Sequence, residues 1–107
     1  MADHTELSSR IQDLIRTRRY RFSSHAEKER HSDRVTIEEF ELAFGVELEV
    51  IENYPTDPRG ASCLALGFTA KGGPLHAVCG LSVPNTIVVV TIYRPNPSEW
   101  LNWRTRR

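Results

Sequence analysis

Four short apolar segments, each closed by a turn signal, fill the second half of this chain and restrict it to a sheet-containing fold. The segments cover residues 47–54, 61–68, 74–83 and 86–94. Between them lie the turn formers Pro55 to Gly60, then Lys71-Gly72-Gly73, then Pro84-Asn85. Short connections rich in glycine, proline and asparagine favour hairpins. The sequence therefore predicts an antiparallel meander of four strands.

Helical signals occupy the first half of the chain. Residues 5–17 carry an apolar stripe at helical spacing, formed by Leu7, Ile11, Leu14 and Ile15. A short strand is expected over residues 20–22. Ser24 with Glu27 and Thr36 with Glu39 match the capping-box pattern, which would place His25 at the first position of a helix. Gly45 is a typical helix stop. Two short helices should therefore precede the sheet.

The composition is typical of one compact domain. The chain has 107 residues, of which 39% are hydrophobic, and this supports a single modest core. We divide it into a helical extension, residues 1–19, and an α+β domain, residues 20–107. With neither a long apolar run nor a leader pattern, we expect a cytoplasmic protein without membrane contact. The two cysteines, Cys63 and Cys79, are predicted to be reduced packing residues.

The polarity pattern also predicts a register for the sheet. A symmetric turn at Pro84-Asn85 pairs His76 with Tyr93, Val78 with Thr91 and Leu81 with Val88, and we expect Cys63 opposite Cys79. One face should then be small and aliphatic, with Ala65, Gly67, Ala77, Leu81, Val90 and Ile92. The other face should hold Leu64, Leu66, Phe68, His76, Val78, Thr91 and Tyr93. The predicted fold is α+β, with helices packed on one face of a four- to five-stranded antiparallel sheet.

Several short motifs, in order, resemble a known bacterial family. They are His25-Ala26, Tyr54-Pro55, Asp57-Pro58-Arg59-Gly60, Leu66-Gly67, Pro74-Leu75-His76 and Thr91-Ile92-Tyr93, with Pro95 and Trp100 after them. Together they resemble the domain of unknown function 4258, over about residues 20–100. That family resembles the BrnT-like and RelE-like toxins, small proteins with two helices on a curved antiparallel sheet.

This resemblance implies a place in a toxin and antitoxin pair. The toxin would cleave mRNA, either free or on the ribosome, and an antitoxin partner would mask it. Members commonly carry an arginine one helical turn after the His-Ala motif, where this chain has Glu29. The resemblance therefore also implies a relative that is weakened or inactive if that arginine binds phosphate. The equal numbers of basic and acidic residues, 14 each, agree with weak attraction for RNA.

Metal-independent RNA cleavage needs a base for the 2′-hydroxyl proton, an acid for the leaving oxygen and cations for the phosphate. We predict His76 as the acid or the base and Tyr93 as the other group or as a residue that positions it, with His25 as a further base at a helix start. Phosphate would be held by Arg59, Lys71 and Arg94. The structural alternative is that each histidine is a hydrogen-bonded packing residue.

Other classes of site receive less support from the residues. Because His25 and His31 do not share a helix face, we predict no metal site, and without glycine-rich phosphate loops we expect no cofactor. The cluster of Trp100, Trp103, Arg104, Arg106 and Arg107 fits either packing over the sheet edge or base stacking, and we favour packing. A second functional hypothesis is a non-enzymatic binding module, in which the apolar face around Leu64, Leu66 and Val78 contacts a homodimer subunit or another partner.

Overall fold

The computed structural model describes residues 4–107, which form three helices and seven strands. No helix in that part of the chain has the length and apolar character needed to cross a membrane. The helices are α1 (Thr5–Arg16), α2 (Ser24–Ser32) and α3 (Ile37–Val46). The strands are β1 (Tyr20–Phe22), β2 (Glu49–Tyr54), β3 (Ser62–Phe68), β4 (Pro74–Gly80), β5 (Ile87–Tyr93), β6 (Trp100–Leu101) and β7 (Thr105–Arg106).

Five of the strands form one sheet in the order β1-β5-β4-β3-β2. Strands β2 to β5 are the predicted antiparallel meander. The edge strand β1 instead runs parallel to β5, with Tyr20 opposite Ile87 and Phe22 opposite Val89. The predicted α+β fold is thus confirmed, and the sheet has five strands of which one is parallel.

The hydrophobic core lies between the helices and one face of this sheet. Helix α1 contributes Ile11, Leu14 and Ile15 to it, so the N-terminal helix packs into the same core as the rest of the chain. Helix α3 contributes Phe40 and Phe44, whose rings lie 5.2 Å apart at their centroids. The sheet contributes small and β-branched side chains, which include Cys63, Ala65, Ala77, Cys79, Val89 and Ile92. Both cysteines are buried free thiols, as predicted.

A bulge in the hairpin between β4 and β5 changes part of the predicted register. His76 pairs with Tyr93, Val78 with Thr91 and Cys63 with Cys79, as expected. The predicted pair of Leu81 and Val88 is wrong, because the register shifts after Val78 and Gly80 becomes the partner of Val88. An extra residue in one strand also reverses the alternation of side chains beyond it, so residues predicted for one face of the sheet lie on the other. Consequently Val89 enters the core, and Val90, predicted to face the helices, is 40% exposed on the other face.

The caps of α2 and α3 differ in how well they follow the predicted pattern. The cap of α2 is Ser23, whose hydroxyl accepts from the Ala26 backbone N–H at 3.0 Å. The prediction of Ser24 was wrong by one residue, so His25 is the second helical residue. Thr36 caps α3 as predicted, accepting from the Glu39 N–H at 3.0 Å. Helix α3 ends at Val46, one residue beyond the expected stop at Gly45.

Helix α2 covers the open edge of β5 beyond the end of β1. The Ser23 hydroxyl donates to the Val90 carbonyl at 2.9 Å, and the Glu29 carboxylate accepts from the Ile92 N–H at 3.0 Å. Side chains of one helix thus take over where the strand partner stops, which protects the edge from pairing with other chains. Glu29, where the resemblance implies an arginine, is therefore an acceptor for the sheet backbone.

We expect Glu29→Ala to lower the free energy of unfolding by about 1 to 3 kcal/mol, because it leaves the Ile92 N–H without an acceptor. Glu29→Gln keeps an acceptor oxygen and should stay close to the parent. Glu29→Arg, which introduces the family residue, should destabilise like the alanine, since a guanidinium cannot accept a hydrogen bond. Urea unfolding of the three variants would check this, and equal stabilities of the alanine and glutamine variants would contradict it.

Candidate functional site

The sheet face away from the helices, here called the outer face, presents three rows of side chains across β5, β4, β3 and β2. The strand pairings define these rows. The first row is Tyr93, His76, Leu66 and Glu49. The second row is Thr91, Val78, Leu64 and Glu52. The third row is Val88, Gly80, Ser62 and Tyr54. Both predicted catalytic residues of the sheet, His76 and Tyr93, are neighbours in the first row.

Residues 95–107, here called the C-terminal arm, cover the first row. Strands β6 and β7 of the arm pair only with each other. Trp100 is 4% exposed, and its ring meets the His76 ring edge-on at a centroid distance of 4.5 Å. The predicted packing of this tryptophan over the sheet is thus seen. Leu64 and Leu66, predicted to line an open partner surface, are each 1% exposed, so that part of the prediction was wrong.

The His76 side chain is fully buried and both its ring nitrogens have partners. Nε2 lies 2.8 Å from the backbone carbonyl oxygen of Trp103, and Nδ1 lies 3.1 Å from the Tyr93 hydroxyl. A carbonyl oxygen only accepts hydrogen bonds, so Nε2 must carry a proton. In the neutral ring, Nδ1 is then an acceptor and the Tyr93 hydroxyl donates to it. The arm thereby sets the tautomer of His76.

Burial keeps this histidine neutral. Desolvation lowers the pKa of His76, against the opposing influences of the Trp103 carbonyl and of the Glu52 carboxylate. Burial likewise raises the pKa of the Tyr93 phenol, which Arg106 partly offsets. The pair is therefore an uncharged phenol donating to an uncharged imidazole around neutral pH.

We expect acid to weaken the fold through His76. Its pKa is lower in the folded state than in the unfolded chain, where it is about 6.5. The folded state then binds fewer protons, so the stabilisation is complete above the unfolded pKa and is lost as the pH falls through the folded pKa. The difference in unfolding free energy between the parent and His76→Gln, measured by urea unfolding, should shrink from pH 7.5 to pH 5. A pH-independent difference would contradict this.

An arginine and a glutamate stand beside Tyr93 at the border of the covered area. Arg106 donates to Glu52 through Nε at 2.9 Å and Nη2 at 3.1 Å, and its guanidinium lies 4.6 Å from the centroid of the Trp100 ring. The Tyr54 hydroxyl also donates to Glu52. Tyr93, Trp100 and Arg106 line a cavity of about 520 Å³ with Ser98, Glu99 and Arg107. Two arginines, one glutamate and the hydroxyl residues Tyr93 and Ser98 therefore line an open space on the outer face.

The predicted phosphate-binding residues lie at two ends of the sheet. Arg59 is in the turn between β2 and β3, where its guanidinium pairs with Asp57 at 3.3 Å. Lys71 is exposed in the turn between β3 and β4, at the opposite end. Arg94 follows β5 at that same end, and it turns toward the helices, where Nη2 donates to Glu39 at 2.8 Å and Nε to the Asp33 carbonyl at 3.1 Å. The three cations do not converge on one point.

His25 is separate from the pair on the outer face. Its side chain is 67% exposed on α2, and its Nε2 lies 3.3 Å from the Glu29 carboxylate. The same carboxylate holds the Ile92 N–H. His25 thus contacts the residue that ties α2 to the edge of β5, and its contact does not extend to His76 or Tyr93.

Glu52, Tyr54 and Arg106 were not among the residues predicted for the site. Glu52 and Tyr54 alternate in a strand, and that spacing does place them on one face. Arg106 belongs to the aromatic and basic cluster seen in the sequence. No spacing shows, however, that the end of the chain returns across the sheet to bring Arg106 to Glu52.

The model of the family described as Domain of unknown function (DUF4258) matches residues 22–94. The chain belongs to this family. The match includes His25, His76 and Tyr93, whereas all of α1 and the C-terminal arm that covers His76 lie outside the matched residues. Neither the comparison with curated proteins nor that with solved structures finds a match.

Proposed function

We propose that this protein is a RelE-like or BrnT-like member of a toxin and antitoxin pair that cleaves mRNA without a metal ion. The observation that supports this most is the hydrogen-bonded series from the Tyr93 hydroxyl through His76 to the Trp103 carbonyl, which begins at the cavity beside Arg106. It couples a hydroxyl at the cavity to a buried nitrogen base, and a cation stands next to them.

In this proposal Tyr93 is the group that contacts RNA. Its hydroxyl hydrogen points to His76 Nδ1, so the lone pairs of the phenolic oxygen are directed away from His76. The oxygen takes the proton of the attacking 2′-hydroxyl while its own proton passes to Nδ1. The 2′-oxygen then forms a bond to phosphorus, the bond to the 5′-oxygen breaks, and water supplies the proton of the leaving oxygen. His76 acts through Tyr93 and does not itself touch the substrate.

The proton transfer creates a positive charge at His76, and the phosphate carries negative charge on the other side of the Tyr93 phenol. Burial, the largest influence, and Arg106 lower the pKa of His76, whereas the Trp103 carbonyl and the negative charge of Glu52 favour its protonated form and would stabilise the imidazolium. Arg106 has a side chain that is 64% exposed, so a phosphate can approach it from solvent. Glu52 orients this guanidinium through two hydrogen bonds, as preorganised electrostatic stabilisation requires.

A cognate antitoxin is the proposed protein partner, with mRNA, free or on the ribosome, as the substrate. A homodimer is the further partner in the proposal. The proposed functional site is metal-independent and uses His76 and Tyr93, with Arg106 as the phosphate contact beside Tyr93. The predicted phosphate-binding residues Arg59, Lys71 and Arg94 lie at the two ends of the sheet and, in this proposal, contact other phosphates of the RNA. His25 remains a proposed second base at the edge of β5.

The burial of His76 favours a second candidate, the non-enzymatic binding module. Both ring nitrogens are already hydrogen-bonded inside the structure. The arginines proposed to contact phosphate are already paired with carboxylates, namely Arg59 with Asp57, Arg94 with Glu39 and Arg106 with Glu52. Under this alternative the His76 and Tyr93 pair serves stability alone, and substitutions there change the melting temperature without any catalytic effect.

The test is cleavage by the purified protein together with the effect of its expression. Primer extension on mRNA, free and bound to ribosomes, should reveal cut sites, and induced expression should arrest growth. Co-expression of a small protein encoded beside it should relieve the arrest if that protein is the antitoxin. Intact mRNA in both forms with unimpaired growth would refute the enzyme proposal and favour the binding module.

A further inference from the structure

We propose that the uncovered part of the outer face is a nucleotide-binding groove, which holds the nucleotide of single-stranded RNA next to the phosphate at Tyr93. This inference rests on the proposed function. The groove is a cavity of about 580 Å³ at the end of the sheet where Arg59 lies, opposite the end that carries Lys71. Its lining comes from the second and third rows, from the bulge in β5 and from two turns, and includes Tyr54, Arg59, Ser62, Val78, Val90 and Thr91.

The groove offers a flat apolar surface beside an aromatic ring. Val78 and Val90 supply methyl groups, and Tyr54 is 40% exposed, so its ring is available for stacking. Gly80 lies in the lining, and a Cβ there would stand 3.3 Å from the Val88 carbonyl and 3.5 Å from a Val90 methyl. The missing side chain thus keeps the surface shallow and open. Stacking of a base on an aromatic side chain contributes about 1 to 3 kcal/mol and tolerates any base.

Polar groups at the rim match the rest of a nucleotide. Hydroxyls of Ser62, Ser82 and Thr91 line the groove and can bond to a sugar or a base edge. The Arg59 side chain is 91% exposed, and the Asp57 carboxylate orients its guanidinium by accepting from Nε and from Nη2, each at 3.3 Å. A guanidinium held in this way presents its remaining donors to a phosphate, and phosphate contacts position a nucleic acid without reading its sequence.

The groove is continuous with the proposed cleavage site. Thr91 precedes Tyr93 by two residues on the same face of β5, which corresponds to an advance of about 6.6 Å along the strand. Tyr54 belongs to both places, because its ring lines the groove and its hydroxyl donates to the Glu52 that holds Arg106. An extended RNA strand with one nucleotide in the groove would therefore bring the adjoining phosphate toward Tyr93.

The size of the groove favours a nucleotide over a second protein chain. Among the described residues that line the groove, only two large apolar residues are at least 40% exposed, namely Tyr54 and Val90. A stable protein interface requires about 800 Å² on each partner. A concave site of several hundred Å³ with a few polar groups at its rim is, in contrast, typical of small-ligand binding.

The experiment uses the full chain and a short single-stranded RNA whose 2′-hydroxyls are methylated, so that it binds without being cleaved. Methyl NMR should show the largest shifts at Val78, Val90 and Thr91. Val90→Glu places a negative charge in the groove and should weaken binding at least tenfold by fluorescence anisotropy. Leu42→Glu is the matched control, since Leu42 is 55% exposed on α3, and should leave affinity unchanged. Arg59→Glu, in an exposed turn, repeats the test should Val90→Glu fail to fold.

The outcomes separate this inference from the proposed function. In one result the parent protein cleaves unmodified RNA while the methyl shifts lie away from the groove, and in another it does so while both glutamate variants bind RNA like the parent. Either result would overturn the groove and leave the cleavage proposal standing. RNA bound in the groove without cleavage of unmodified RNA would support the groove and refute the enzyme. Self-association that Val90→Glu abolishes, seen by light scattering without RNA binding, would identify a subunit contact and overturn the groove.

Discussion

Tyr93→Phe should slow RNA cleavage by about a hundred- to ten-thousand-fold while the protein remains folded. The substitution removes one oxygen atom, which in the proposed mechanism accepts the 2′-hydroxyl proton and passes its own to His76 Nδ1, 3.1 Å away. The ring itself stays, so the edge-on contact with His76 is retained. Single-turnover cleavage of a labelled RNA measures the effect, and growth arrest on expression should disappear with it.

The matched control is Tyr20→Phe. It removes the same atom from a tyrosine on the helix side of the sheet, whose hydroxyl donates to Glu41 at 2.5 Å. The Tyr20→Phe variant should be somewhat less stable than the parent and should cleave RNA at the parent rate. His76→Gln adds a second readout, because a glutamine cannot take the relayed proton. We expect slow cleavage that no longer depends on pH between 5 and 7. Equal activity of Tyr93→Phe and Tyr20→Phe would rule out Tyr93 as the group in contact with RNA.

The antiparallel hairpins of the sheet were predictable because the residues that encode them are close together in the sequence. Turn residues between apolar segments predict hairpins, so β2 to β5 followed from the sequence. The predicted pair of His76 and Tyr93 is present, although the register next to the turn differs by one residue and the bulge restores the predicted pairing from Val78 to His76. The parallel pairing of β1 with β5 is not a hairpin, and no turn connects Tyr20 to Ile87. Such pairing between distant segments depends on which edge strand of the sheet the helices leave uncovered, and a local sequence pattern does not show that.

The bulge shows a second limit. Val88, Val89 and Val90 are identical side chains, so polarity does not indicate which of them faces the core. The register shift after Val78 buries Val89 and exposes Val90. One inserted residue therefore created the apolar surface of the groove, and alternation in the sequence predicted the opposite orientation.

The site was predicted only in part for a related reason. His76 and Tyr93 meet across one hairpin, but the atoms that determine their chemistry come from the far end of the chain. Trp103 supplies the carbonyl that sets the His76 tautomer, and Arg106 reaches Glu52 from 54 residues away. A sequence pattern gives the residue types of this C-terminal arm and does not give its path across the sheet.

Gly67 shows, in contrast, a motif whose physical reason becomes clear only in three dimensions. It lies in β3 under helix α3, and a Cβ there would stand 2.7 Å from the Ala43 carbonyl oxygen and 2.9 Å from the Phe44 ring. A backbone oxygen cannot move aside as a flexible side chain can. The Leu66-Gly67 motif therefore reflects a close approach of helix to strand, which only glycine permits.

We expect Gly67→Ala to destabilise the protein by about 3 kcal/mol, at the upper end for overpacked cores, because α3 must shift away from the sheet. For a domain of this size that corresponds to a fall in melting temperature of about 12 to 20 °C. Gly73→Ala is the matched control, since its Cβ would meet only the Thr69 hydroxyl, at 3.3 Å. Calorimetry of both variants measures the difference. A Gly67→Ala protein as stable as the Gly73→Ala protein would mean that α3 is free to move, and that the contact between Gly67 and Ala43 does not hold it against the sheet.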